Sequence, residues 1–316
     1  MSDQSSIRGI TPARLQSFLA IVEEGSARAA ARRLSVTESA VSAALAALHR
    51  DLGTVLFERD GRGLRLTESG AIYAGYARRV LGLIEEGMNA ARQGLSAESG
   101  VLRLGAVATV GEYLLPSLLA SFRVRFPDVE LTLEVGVRDR VFAALADHRL
   151  DIVIGGRPIR GRGLVTRATR PNSLIVVAAR QMTATELATT PWLLREPGSG
   201  TRETTLALLH TMQITPPLLA LGSHGAVVAS AVLGLGVTVV SADAVDAHLQ
   251  AGTLRRLDTR GTPLDRPWHA VTSAAPTATA RLFLDHLTDG GAHAAGALAF
   301  TPRPARAGDA RAKRRF

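Results

Sequence analysis

The segment Pro197-Gly-Ser-Gly-Thr-Arg202 gathers the residue types best able to do chemistry in this chain. A strand-like apolar run, PWLLRE, precedes it and a helical pattern from about Arg202 to Met212 follows. Glycines permit a tight turn, and the first N–H groups of a helix lack intrahelical acceptors. Ser199, Gly200, Thr201 and Arg202 therefore offer backbone and side-chain donors that can hold an anion. An ordinary glycine-rich turn into a helix has the same spacing, so pattern alone leaves both readings open. Thr109 stands at the matching strand-to-helix junction of an earlier run, VLRLGAVAT, where it can donate to the same ligand. Gly156 and Arg157 follow a third run, LDIVIGG, and can complete the rim, although Arg157 also fits as a surface cation. His224 follows LLALGS, a place that suits a structural histidine as well as a ligand contact.

Other chemistries lack their residues. The 316-residue chain has no cysteine, which removes disulfides, thiolate zinc sites, iron-sulfur clusters and a thiol nucleophile, and suits a reducing compartment. Of 37 basic residues only Lys313 is lysine, so the folded part offers neither a P-loop lysine nor a Schiff-base amine. The eight histidines form no HExxH, GxSxG is absent, and Gly234-Leu-Gly236 does not extend to a dinucleotide fingerprint. The expectation is a binding protein without catalytic residues, cofactor or metal. The formal charge of +9 divides into +2 over residues 1–92, +2 over 93–300 and +5 over 301–316, so most of it says nothing about the globular part. The start, MSDQSSIRGITPARLQSF, has neither the basic opening nor the apolar stretch of a secretory signal, which points to the cytoplasm. From Thr204 to Ala242 no charged side chain occurs, but Pro216, Pro217, two histidines and four glycines interrupt the run. It reads as buried α/β core with no membrane partner.

The elements that must position these residues change character near residue 96. Before it, everything reads as helix. Leu15, Phe18, Leu19 and Val22 make one stripe after Pro12; Ser26 can cap a short alanine-rich helix through Leu34; Val41, Leu45, Leu48 and Leu52 make a third stripe that stops at Gly53. Ser35 or Thr37 can cap that third helix. Two short helices around a tight turn, the second exposing Glu38, Ser39, Ser42, Ala43 and Ala46, form a helix-turn-helix candidate. In VLFERDGRGLRLTESG, two apolar pieces flank a hairpin turn with Arg59, Arg62 and Arg65, a basic wing able to grip phosphates. Tyr73, Tyr76, Val80 and Leu83 recur at spacings of 3, 4 and 3, which suits either a coiled-coil seam or packing on the same domain. From Val101 onward, strand-like and helical runs alternate as βαβαβ, then a second similar set follows. A strand near Trp268 and a helix from about Thr277 to Leu287 return to the first lobe. Two such lobes enclose a cleft at the strands' carboxyl ends. The last stretch, with charges separated by Pro, Gly and Ala, reads as a disordered basic tail.

The segments LxxFLAIVEEGS (Leu15 to Ser26), AAARRL ending at Leu34, SAVS (Ser39 to Ser42), LGxxLFER (Leu52 to Arg59) and LTESG (Leu66 to Gly70) occur in order. In these the chain closely resembles the LysR-type transcriptional regulators. The resemblance implies an all-α winged helix-turn-helix DNA-binding domain (residues 1–67) and a long linker and dimerisation helix (68–96). It further implies a two-lobed α/β periplasmic-binding-protein-like effector domain (97–292), with the tail at 293–316. It places Thr37, Glu38, Ser39 and Ser42 at the major groove, and Arg28, Arg32, Arg33, Arg62 and Thr67 on or near phosphates. It implies double-stranded DNA with an interrupted palindrome, a homodimer or homotetramer, RNA polymerase and a metabolite effector as partners, and puts His224 at an effector position. The family usually has Gln where this chain has Glu38, and basic or amide side chains where it has Ala43 and Ala44, so base readout should be sparse. REPGSGTR (Arg195 to Arg202) and GxPxxRxW (Gly261 to Trp268) are similar to the branch that controls Rubisco and related operons, although Val137 replaces its usual Asn. That implies a phosphorylated or carboxylated effector. A solute-binding protein or a non-catalytic sensor without DNA function would account for residues 101–290 equally well, but not for the N-terminal helices.

Overall fold

The computed structural model describes residues 9–61, 63–93, 97–158, 163–182, 187–288 and 300–303. The chain divides into two compact units, residues 1–88 and 89–316. Among the described residues no helix is long and apolar enough to cross a membrane.

In the first unit, α1 (Pro12–Glu24), α2 (Ala27–Leu34) and α3 (Glu38–Leu52) are each closed by local chemistry. Thr11, Ser26 and Thr37 cap them through side-chain acceptors for Arg14, Ala29 and Ala40 N–H, so the cap of α3 is Thr37 and not Ser35. Ser35 instead ends α2 in the left-handed region. Leu15, Phe18, Ile21, Val41 and Leu48 are buried together. The wing pairs β1 (Phe57–Asp60) with β2 (Gly63–Leu66), and Phe57 packs on Phe18 with ring centroids 5.4 Å apart. α4 (Glu68–Gln93) begins against the wing so closely that a Cβ on Gly70 would lie 2.0 Å from the Leu56 carbonyl oxygen, which makes glycine obligatory there. On α4 the expected seam differs in one member. Tyr73 turns inward, edge-on to Phe18 at 5.3 Å, while Ile72, Tyr76, Val80, Leu83 and Met88 are exposed. Adjacent apolar columns have the same period, and core packing takes the one nearer Phe18.

The second unit has two lobes. In the first, β3 (Val101–Val107) lies between β4 (Glu130–Gly136) and β5 (Ile152–Gly155), all parallel, with α5 (Ala108–Tyr113), α6 (Leu115–Arg125) and α7 (Arg138–Ala146) as crossovers. β6 (Val165–Arg170) then crosses to β7 (Ser173–Ala179) of the second lobe, where β8 (Trp192–Leu194), α8 (Gly200–Met212), β9 (Leu218–Ala220), α9 (His224–Val232), β10 (Thr238–Ser241), α10 (Ala242–Gln250), β11 (Leu254–Leu257) and β12 (Leu264–Asp265) follow. β13 (Trp268–Thr272) returns between β5 and β6, antiparallel to both, and α11 (Ala278–Thr288) covers the first sheet. Cores centred on Phe122, Phe283 and Ile154 in one lobe and Trp192, Val176 and Val239 in the other hold the sheets.

The expectation of a disordered tail from residue 293 is corrected at residues 300–303. Phe300 is 1% exposed within the first lobe's core, and β14 (Thr301–Pro302) adds an antiparallel edge to β6. One aromatic ring supplies enough burial to fix a segment whose charge suggested otherwise. The rest of the tail lies outside the described residues.

Two strand passages join the lobes, through Asn172 and through Arg266. They clasp each other: Asn172 Nδ2 donates to Arg266 O at 2.8 Å, and Arg266 N donates to Asn172 O at 2.8 Å. Ser241 Oγ donates to Asn172 Oδ1, and Arg170 at the end of β6 pairs with Asp243 in the first turn of α10.

Candidate nucleic-acid face and ligand cleft

On the first unit, Glu38, Ser39, Ser42, Ala43 and Ala46 lie exposed along α3, opposite buried Val41, Ala47 and Leu48. Thr37 Oγ1 accepts from Ala40 N at 3.2 Å and lies 3.0 Å from Ser39 Oγ, so the turn into this helix is fixed before any partner arrives. Arg28 and Arg32 are exposed on α2. The other expected phosphate contacts are less free. Arg33 is bound to Glu23 and Glu24 across the α1–α2 turn, and Arg65 of the wing to Glu58 and Asp60. Thr67 Oγ1 donates to Val55 O at 2.8 Å and accepts from Gly70 N at 3.0 Å, which makes it the joint between wing and α4. Arg62 lies outside the described residues.

The second unit has a cleft of about 470 Å³ between its lobes. That size suits a small metabolite. Thr109, Gly156, Arg157, Ser199, Gly200 and Thr201 all line it, so residues from three strand ends meet as their spacing suggested. Gly198, at φ 82°, makes the turn that aims the α8 N-terminus at the cavity, and Ser199 at its cap position spends no side-chain bond on the helix. Arg202 and His224 do not line the cleft. Arg202 Nη1 turns back and donates to Arg195 O at 2.9 Å. His224 opens α9, buried edge-on to Tyr113 with centroids 5.2 Å apart, and its Nε2 has no hydrogen-bond partner among the described residues. Burial, helped by Arg195 and opposed by Glu196, lowers its pKa to about 4, so it is neutral near pH 7.

Two family profiles cover both units. The "LysR substrate binding domain" matches residues 96–292, and the "Bacterial regulatory helix-turn-helix protein, lysR family" matches residues 12–71. The chain belongs to the LysR family. It is a DNA-binding transcriptional regulator with an effector-binding domain, and not an enzyme. The RuBisCO operon transcriptional regulator of Acidithiobacillus ferrooxidans is 33% identical over 295 residues, 89% of this chain and 94% of that protein. Among solved structures, full-length CbnR complexed with its target DNA superposes with TM-score 0.61 at 22% identity, over 88% of this chain and 98% of that one, which shows the shared fold. The regulatory domain of CcmR from Synechocystis PCC6803 in complex with 2-PG gives TM-score 0.53 at 26% identity, over 59% of this chain and 94% of that one.

Several cleft residues of this LysR-family chain were not foreseen in the pattern. Arg138 opens α7 and donates from Nε to the Arg157 carbonyl oxygen at 3.1 Å, which holds the Arg138 side chain at the rim beside Arg157. Val137, the departure from the Rubisco-regulator pattern, forms apolar wall against the Gly198 turn. Asn172 and Arg266 reach the cleft from the two lobe passages, and His269 from β13. Burial pushes the His269 pKa down, with Arg303 and Arg157 adding to the effect. Arg195 and Glu196 follow β8 on the same wall. The return near Trp268 was read from the sequence, but not the residues that each passage brings to the cleft.

Proposed function

We propose that this LysR-type regulator holds a small anionic metabolite between its lobes, and that occupancy modulates its binding or bending of promoter DNA. The carrying observation is the donor set around one cavity: the free N–H groups of the α8 N-terminus, the Ser199, Thr201 and Thr109 hydroxyls, and the Arg138 and Arg157 rim. The likeness to a CcmR domain solved with 2-PG and to a RuBisCO operon regulator supports a phosphorylated or carboxylated effector. Lobe closure about the Asn172 and Arg266 passages couples the sites by population shift. On the DNA side, α3 enters the major groove of an interrupted palindrome in the cytoplasm, with Thr37, Glu38, Ser39 and Ser42 toward base edges and Arg28 and Arg32 on phosphates. The exposed stripe from Ile72 to Met88 pairs two copies as a dimer, from which a tetramer and contact with RNA polymerase can be built.

The test is calorimetric titration with phosphorylated and carboxylated metabolites on wild type and Thr201→Ala. Saturable binding that weakens in the variant is expected. Equal affinity of the two proteins for a bound metabolite removes α8 from the site.

A further inference from the structure

Arg195 stands in the cleft wall with its side chain only 6% exposed, yet its fork is not open to a ligand. Nε donates to Glu196 Oε2 at 2.7 Å and Nη2 donates to Glu196 Oε1 at 2.6 Å. These are two parallel, short, charge-assisted bonds, the geometry with which a guanidinium takes a carboxylate or phosphate ligand. Neighbours in a strand point to opposite faces. Here β8 has ended at Leu194, and the turn through Pro197 and left-handed Gly198 lets the two side chains meet. The backbone of the pair is fixed as well, since Arg202 Nη1 donates to Arg195 O and Ser199 N donates to Glu196 O at 3.2 Å. Burial alone would raise the Glu196 pKa; hydrogen bonds and charge from Arg195 outweigh it and hold the carboxyl below its ordinary value. Glu112 on the facing lobe is raised by burial, with Arg195 opposing the shift and Glu196 adding to it, so a second carboxyl group senses both members of the pair.

We infer that Glu196 is a built-in counter-ion that fills the Arg195 fork in the unliganded cleft and sets anion affinity by competing with the ligand. This rests on the reading of the cleft as an anion site. A buried guanidinium without a partner is costly, so the resting protein keeps one in cis. Glu196 is 26% exposed and has a path to water. An incoming group with two oxygens replaces it in kind, one anion for another, and Arg195 is never left uncompensated. A ligand that offers one acceptor cannot make that exchange, so the pair selects bidentate oxyanions.

The experiment titrates sulfate, at constant ionic strength and neutral pH, into the full-length protein and its Glu196→Gln, Glu196→Ala and Glu196→Asp variants, read by calorimetry and by tryptophan fluorescence, to which cleft-lining Trp268 contributes. Removing one like charge a few ångströms from the anion tightens sulfate binding on the order of tenfold in the Gln and Ala variants, and Asp, which keeps the charge, stays near wild type. A gain of affinity is not what damage to the fold produces. If sulfate binds the Gln and Ala variants no more tightly than wild type while Thr201→Ala still weakens it, Glu196 does not compete and the anion reading survives. If no protein in the set binds sulfate, both the competition and the anion reading are overturned.

Discussion

Asp243→Asn removes the charge that faces Arg170 across the lobe junction. Arg170 lies at the end of β6 with a side chain 6% exposed, and Asp243 lies in the first turn of α10 with its side chain 38% exposed. Breaking a fully buried ion pair costs about 3–5 kcal/mol, and an exposed pair is worth about 0–1 kcal/mol. The half-solvated Asp243 puts this pair between those limits, at about 2 kcal/mol. For a unit of this size that lowers the unfolding transition by about 4–8 °C. Scanning calorimetry of wild type, Asp243→Asn, Arg170→Met and the double variant measures it. The reasoning predicts that the double variant recovers much of the loss, since replacing both charges leaves no buried guanidinium facing a neutral amide. A transition within about 1 °C of wild type in Asp243→Asn would refute it, as would strict additivity in the double variant.

Three further outcomes follow from particular residues. Glu38 makes no ion pair among the described residues and can accept from cytosine N4, whereas glutamine pairs best with adenine N6 and N7; in a selection from random DNA, Glu38→Gln is expected to move one half-site position from C toward A, and an unchanged profile removes Glu38 from base reading. Phe300→Ala empties a core site, which typically costs about 3–5 kcal/mol. With the lower figure for a short edge segment, the second unit's transition falls roughly 6–12 °C, and an unaltered transition would place Phe300 outside the core. His224 has a folded pKa of about 4 against an ordinary 6.5, so the unfolded chain takes up its proton first. Its contribution is whole above pH 6.5 and is lost as pH falls through about 4. Urea midpoints of His224→Leu should vary less with pH across that window than those of wild type, and parallel curves would assign the acid sensitivity elsewhere.

Much of this was readable locally. The Ser26 and Thr37 caps, the apolar stripes of α1 and α3 and the Gly-Ser-Gly-Thr turn each lie within one short stretch, and short-range chemistry decides them. What periodicity could not do was choose between adjacent apolar columns, hence Tyr73 packing inward and Ile72 staying exposed. Arg138 and Asn172 were illegible for another reason, and Arg195 and Arg266, although inside family motifs, gave no sign of their place in the cleft. They come from four separate strand ends that only the antiparallel return of β13 and the double lobe passage bring together. Arg202 sat in the right motif, but its side chain satisfies a carbonyl and does not face the cavity. The basic stretch that follows concealed Phe300, because composition describes a whole segment while burial acts on one ring.

Simultaneous measurement of effector and operator binding bears most directly on the coupling of cleft to DNA. A fluorescent operator fragment is titrated with the full-length protein while phosphorylated and carboxylated metabolites are varied, with calorimetry reporting cleft occupancy in the same buffer. The account predicts that a metabolite that fills the cleft changes operator affinity or bend angle, and that operator DNA changes the metabolite's affinity by the same factor where the coupling is in affinity. A metabolite that saturates the cleft and leaves both operator affinity and bend angle as they were would contradict it.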